Sequence, residues 1–250
     1  MTRWTATELG LPARATLRCL LPLPDGLAIG ADRGLVLRRG SRFLPFPWPR
    51  GARPESRVEA LALHEGVLHV ATRRARFQWR LAGPVSGGGM PLDAGGVYDE
   101  VRAMASLEGL LVGWRTHLEG APGPPDCSAF TRALGHRWAG TLGGEVVDLD
   151  GPTRRTLPGP VRHLLGSPEA LLVAAGGSLH RYDGKMWTER AGEPYALAWH
   201  QGAVAELREG RLWLDGRPRP HALDRPWSLA STEGELWVGS LGALHRLRNP

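Results

Sequence analysis

Along this chain apolar and polar positions alternate in short runs, broken every few residues by glycine, proline or an acidic turn. The stretch 234–247 shows the pattern most clearly. Leu236 and Val238 fall on one side with Trp237 between them, small residues follow at Gly239, Ser240 and Gly242, and Leu244 and Arg246 then alternate with His245 and Leu247. Side chains of an extended strand point to opposite faces with a period of two, so the stretch reads as strand, tight turn, strand.

Degenerate copies of this hairpin recur. Anchored on the small residue that follows an apolar pair, they lie at 27–31, 68–72, 110–114, 138–141, 171–175, 203–207 and 236–240. Seven copies spaced by roughly 30 to 40 residues are the mark of a repeat architecture, and that spacing suits a four-stranded sheet as the unit. A further alternating run precedes most copies, at 17–23, 58–63, 101–107, 161–165, 195–199 and 227–230, and predicts the innermost strand of each unit. After the hairpin, a turn and an aromatic, as at 182–187 or 39–43, predict an outer, fourth strand. Four strands make a blade, so the chain reads as an all-β, seven-bladed β-propeller forming one domain over residues 1–250.

The two termini complete each other. The last copy stops at 245–250 without a fourth strand, while the chain opens at 1–8 without a hairpin; laid end to end they match 180–189, with Trp4 in the place of Trp187. The amino-terminal strand is therefore expected to finish the last blade and close the ring, which removes two exposed sheet edges. Blade three departs furthest from the pattern. Gly113 to Gly140 spans only 27 positions and includes Glu119-Gly120-Ala121-Pro122-Gly123-Pro124-Pro125-Asp126, which cannot be a central strand. A lost strand is expected there, and six blades with blade three degenerate is the alternative.

The stretch 234–247, and less well 169–189, resembles the repeats of the two-component-regulator propeller family. Blades of that family carry a Leu-Trp-Val-Gly-Thr core, a Gly-Leu turn and a trailing Trp; the core here is Leu236-Trp237-Val238-Gly239-Ser240. The resemblance implies the propeller fold. In that family the propeller sits outside the membrane ahead of a kinase, and with neither a span nor a kinase following, a sensor role is not expected here.

Composition fits this picture. Gly (34) and Pro (21) are abundant, yet 42% hydrophobic residues argue against disorder, so the breakers mark turns. Ten tryptophans suit the gaps between neighbouring blades, which a wide ring can span. Lys185 is the only lysine among the basic residues, a bias that with the high Ala, Gly and Pro points to a GC-rich bacterial genome. Cys19 and Cys127 are too few for a disulfide framework, the amino terminus has no apolar leader, and no stretch approaches the ~20 apolar residues of a membrane span. A cytoplasmic location without a membrane partner is expected.

Catalytic and metal signatures are thin. Of the nine histidines, His180 and His245 occupy one repeat position and His64 and His200 another, without a His-x-His or His-x-x-x-His pair. The stretch 83–89 has neither the context of a nucleophile elbow nor the lysine of a phosphate loop. No catalytic residue, metal or cofactor is assigned. Charge says more: between Asp32 and Arg80 eleven arginines face four acids, a surplus of seven against a net charge of +6 for the whole chain. Arg33, Arg73, Arg74 and Arg115 fall in the turns between second and third strands of three successive blades, which open on one face, and form a candidate docking patch. Phe46 and Trp48, held among prolines, are candidate interface anchors.

The expectation is a non-catalytic protein-protein interaction scaffold, a subunit of a bacterial cytoplasmic assembly whose partner proteins present an acidic surface. A small propeller lyase or hydrolase acting at the central channel is the first alternative. It would need titratable residues at the starts of the inner strands, where Leu17, Val58, Val101, Val161 and Tyr195 are mostly apolar. A nucleic-acid-binding disc is the second, resting on the arginine surplus alone.

Overall fold

A computed structural model describes residues 1–46, 57–72, 76–81, 90–92, 100–221 and 223–248, of which none is helical. They form seven antiparallel sheets in a ring. The inner strands are Leu17–Leu23, Val58–His64, Val101–Ser106, Cys127–Ala133, Val161–Gly166, Ala196–His200 and Pro226–Thr232, each packed against the next and the last against the first. Six of these were legible as alternating runs. The inner strand of blade four, Cys127–Ala133, was not, because it begins directly after the proline-rich stretch.

Six sheets have four strands and blade three has three, its third strand reduced to Leu118–Glu119. The lost strand therefore lies where proline and glycine interrupt the pattern, and the ring still counts seven blades. The strand Thr2–Thr5 pairs with Ala243–Arg248 and makes the last sheet four-stranded, closing the ring. Its register differs from expectation. Trp4 lies opposite Leu244, the place taken in blade five by Arg190 opposite Leu179, whereas Trp187 lies opposite Tyr182. The shift is three residues, an odd number, so it turns the ring to the other face of the sheet. Trp187 packs with Tyr182 and Trp138 between blades four and five, while Trp4 stacks on Trp237 between blades seven and one.

The core lies between blades. Each sheet is apolar on both faces because it has a neighbour on each side. In blade seven Trp237 and Leu244 face Leu17, Leu27, Ile29 and Val36 of blade one, while Leu236, Val238 and Leu247 face Leu207, Leu212 and Leu214 of blade six. Close packing explains the small residue that anchors each repeat. A Cβ on Gly140 would lie within 2.3 Å of Val161, and one on Gly239 would lie within 2.9 Å of Leu17 and closer still to Ser228 Oγ. The first residue of the following inner strand occupies the space a side chain would need. Blade six breaks the rule with Leu207, which pairs with Leu212 and packs against Leu236 and Val238 of blade seven, while Glu206 beside it turns to blade five, where it is buried and bonded to Arg190 at 2.6 Å.

Candidate functional site

The inner strands carry a feature that ordinary alternation hides. In six of the seven, register slips at the second residue: after Leu17, Val58, Val101, Cys127, Val161 and Pro226. A β-bulge inserts one residue and re-aims its side chain. The first residues are apolar and buried in the blades, as their chemistry requires. The bulged residues are Arg18, Glu59, Arg102, Ser128, Arg162 and Trp227. The expectation of mostly apolar strand starts therefore holds for the first position and fails at the second, where polar and titratable groups surround the channel.

Four of these side chains meet at one opening. Arg18, Ser128, Arg162 and Trp227 line a cavity of about 810 Å³ together with Cys19, Leu20, Leu142, Val161, His163, Glu193, Tyr195, Arg225, Pro226 and Leu229. Residues of blade one and of blades four and five share a cavity only on the axis of the ring, so this is the mouth of the central channel. A smaller recess beside it holds Arg57, Glu59, Glu100 and Arg102.

Most of the charge at the mouth is already paired. Arg57 Nε lies 2.8 Å from Glu59, Arg102 reaches Glu100 at 2.8 Å and Asp126 at 3.2 Å, and Arg162 Nε lies 3.1 Å from Glu193. Arg18 is different. Its guanidinium lies 4.9 Å over the ring of Trp227, and among the described residues it has no ion pair. Burial, followed by the field of Arg57, pushes the Arg18 pKa down, with Glu59 and Asp32 opposing. Neither acid bonds to it: Glu59 pairs with Arg57, and Asp32 accepts the backbone N–H of Thr16 at 3.0 Å. Trp227 is 47% exposed and Leu142 38%, two of the few large apolar side chains turned to solvent, and both border this opening.

Two groups with chemical potential are quiet. Burial pushes the Cys19 thiol up to about 12, so it stays protonated and is a poor nucleophile. Burial pushes the His163 imidazole down to about 4, despite a hydrogen bond to the backbone of Tyr195, so it is neutral at pH 7. No cluster of metal-binding side chains occurs among the described residues.

Of the residues singled out from sequence, Arg33 and Arg115 are exposed on the same face as the mouth. Arg33 follows Ala31, which pairs with Leu17, and Arg115 follows Trp114, which pairs with Val101. Both turns are therefore tied to the starts of inner strands; the Arg115 N–H donates to Glu100 O at 2.9 Å. Arg73, Arg74 and Trp48 lie outside the described residues. Phe46 requires a correction: it is 6% exposed and its ring meets Trp79 edge-on at 4.8 Å, between blades one and two. Its apolar surface is already used by the core, so it is no interface anchor. The arginine surplus is also partly internal. Arg38 lies over Trp237, Arg39 donates to Leu81 O, and Arg76 pairs with Glu119 at 2.9 Å.

No protein family model and no curated protein matches the chain. Solved structures do match in fold. The WD40 β-propeller domain of Doa1 superposes with a TM-score of 0.73 at 12% identity, over 95% of this chain and 94% of that one. The chain belongs structurally with the β-propellers. The extracellular domain of the BT4673 one component system from B. thetaiotaomicron matches with a TM-score of 0.72 and 16% identity, over 94% of this chain and 39% of that one. YCF48, solved bound to D1 peptide, matches with a TM-score of 0.71 and 15% identity, over 100% and 95% of the two chains. At these identities the likeness is one of fold, and the propeller of a regulatory system stands among the neighbours, in keeping with the repeat resemblance.

Proposed function

We propose that the protein is a non-catalytic protein-protein interaction scaffold, a subunit of a bacterial cytoplasmic assembly, which receives an acidic segment of a partner on the face where the inner strands begin. The observation that carries this reading is the concentration of exposed apolar side chains, Trp227 and Leu142, beside arginines without acidic partners among the described residues, Arg18, Arg33, Arg115 and Arg225. Tryptophan, tyrosine and arginine dominate binding hot spots, because they combine large area with directed polar groups. The ring holds them rigid, so little ordering cost accompanies docking. YCF48, which shares the fold, is solved with a peptide bound, and this precedent supports a peptide-like ligand. Glu59, Glu100, Asp126 and Glu193 already pair with arginines of this face. That mixed charge suits a short acidic segment better than a phosphate backbone, which requires many free cations.

The test is affinity purification of the tagged protein from its own host at low and high salt, beside an Arg33→Glu/Arg115→Glu variant. The proposal expects a defined set of proteins at fixed stoichiometry, depleted at high salt and in the variant. Recovery that ignores the double reversal would place docking elsewhere, and recovery of nucleic acid without protein would overturn the scaffold reading.

A further inference from the structure

The mouth of the channel is more than a patch, because it has depth. Its cavity of about 810 Å³ is of the size that takes small ligands, and Leu20, Val161, Pro226 and Leu229 give it apolar walls. Such a cavity buries an apolar body and discriminates by the few polar groups that converge on it. Here those groups are unequal. Arg162 is bound to Glu193, and His163 is engaged with the backbone of Tyr195. Arg18 alone combines partial burial with the lack of an acidic partner among the described residues. A guanidinium removed from water and left without a counter-ion is unfavourable, and a carboxylate that enters relieves it with a charge-assisted, two-pronged bond.

We propose that the channel mouth binds a carboxylate borne on an apolar or aromatic body, with the carboxylate on Arg18 and the body between Trp227 and the apolar wall. Trp227 serves both halves of such a ligand. Its ring fixes the Arg18 guanidinium from one side, and its 47% exposed remainder offers a flat apolar surface to the ligand. Arg225, immediately before the inner strand of blade seven, borders the same opening and adds a second positive charge at its rim. The chemistry has two natural sources, a free aromatic acid and the carboxyl-terminal residue of a peptide. The site does not depend on docking at Arg33 and Arg115, since a small acid alone would fill it.

Isothermal titration with phenylacetate and its uncharged counterpart phenylacetamide tests the site on the intact protein. Phenylacetate is expected to bind and phenylacetamide to bind about tenfold more weakly or not at all. Arg18→Gln should remove that preference without lowering the melting temperature, and Trp227→Leu should weaken both probes. A parallel titration uses a short peptide ending in phenylalanine as the free acid and as the amide. If the free-acid peptide binds at least about tenfold more tightly than phenylacetate, the natural ligand is a chain terminus; if phenylacetate equals or exceeds it, the ligand is a small acid. Equal binding of phenylacetate and phenylacetamide by the unaltered protein, or no binding of either, overturns the proposal. So does an Arg18→Gln protein that keeps the preference. The Arg33→Glu/Arg115→Glu variant should titrate like the unaltered protein, which separates failure here from failure of the docking face.

Discussion

The stack of arginine on tryptophan at the seam between blades seven and one, and the stack at the channel mouth, use the same two residue types to opposite ends. At the seam Arg38 lies 4.7 Å over Trp237, which is fully buried, donates its indole N–H to Thr232 Oγ1 at 3.0 Å, and is stacked by Trp4 at 5.8 Å. Arg246 caps both rings and is held by Glu235 at 3.4 Å. Arg38 itself has no ion pair among the described residues, so what marks the seam is that the Trp237 ring is covered by Arg38, Arg246 and Trp4. At the mouth Arg18 covers one side of Trp227, the other side faces solvent, and no acid among the described residues neutralises the cation. Burial of the ring decides the difference, since a ring that is closed on both faces stabilises the fold and a ring that is half open awaits a partner.

The largest way to break the comparison is to remove the seam. Deleting residues 1–10 takes away the fourth strand of blade seven, uncovers Trp237, and removes Ala6 and Leu9 from the core cluster they share with it. The melting temperature should fall by roughly 15 °C or more, or the cooperative transition should vanish. A truncated protein that melts unchanged would show that the ring does not need its closure.

Next in size is Trp237→Ala. Losing a fully buried indole costs about 3 to 5 kcal/mol, which in a chain of this length lowers the melting temperature by roughly 10 °C or more. A fall of only a degree or two, measured by calorimetry, would mean that the seam is not the tightly packed structure described.

Acid should act on the other face of blade seven, the one turned toward blade six. His245 is 3% exposed, and burial, with Arg3 and His221 adding to it, pushes its pKa from 6.5 down to about 4. Ser240 Oγ gives its proton to Ala243 O and lies 3.2 Å from His245 Nε2, so the ring donates from Nε2. Protonating Nδ1 would bury a donor without a partner. Because the folded pKa lies below the unfolded one, the unfolded chain takes up the proton first. The contribution, on the order of 3 kcal/mol, is complete above about pH 6.5 and is lost as pH falls toward 4. Replacing His245 with Gln should make the stability profile between those values shallower, the remaining slope belonging to His163 at the mouth, which burial also pushes down to about 4, and a profile as steep as that of the unaltered protein would assign the acid sensitivity elsewhere.

Much of the fold was legible because close packing writes itself into residue size. Gly140 and Gly239 are small since Val161 and Leu17 press on them, and that constraint recurs at Gly30 and Gly113 and leaves a repeat. The closure was legible from complementary termini, but its register was not. Alternation by two is satisfied by many offsets, and the contacts of Trp4 with Trp237 in its own sheet and with Phe43 of blade one select one. The mouth was hidden for a related reason. Arg18, Glu59, Arg102 and Arg162 look like ordinary outward positions of a half-buried strand, and only the bulge, a property of pairing, turns them to the axis. The repeated polar residue at the second inner-strand position was the available signal. Phe46 was misread because a proline-flanked aromatic looks displayed until the neighbouring blade that covers it is in place.

The smallest expected effect on stability carries the most weight. Trp227→Ala should leave the melting temperature within about 2 °C of the unaltered protein, because half of the ring already faces solvent. In the same preparation, recovery of host partner proteins should fall to background. That pairing, a fold unchanged and a partner lost, is the result this account of the mouth predicts. A melting temperature that drops as far as for Trp237→Ala, with partner recovery intact, would contradict it and make the mouth a second structural seam.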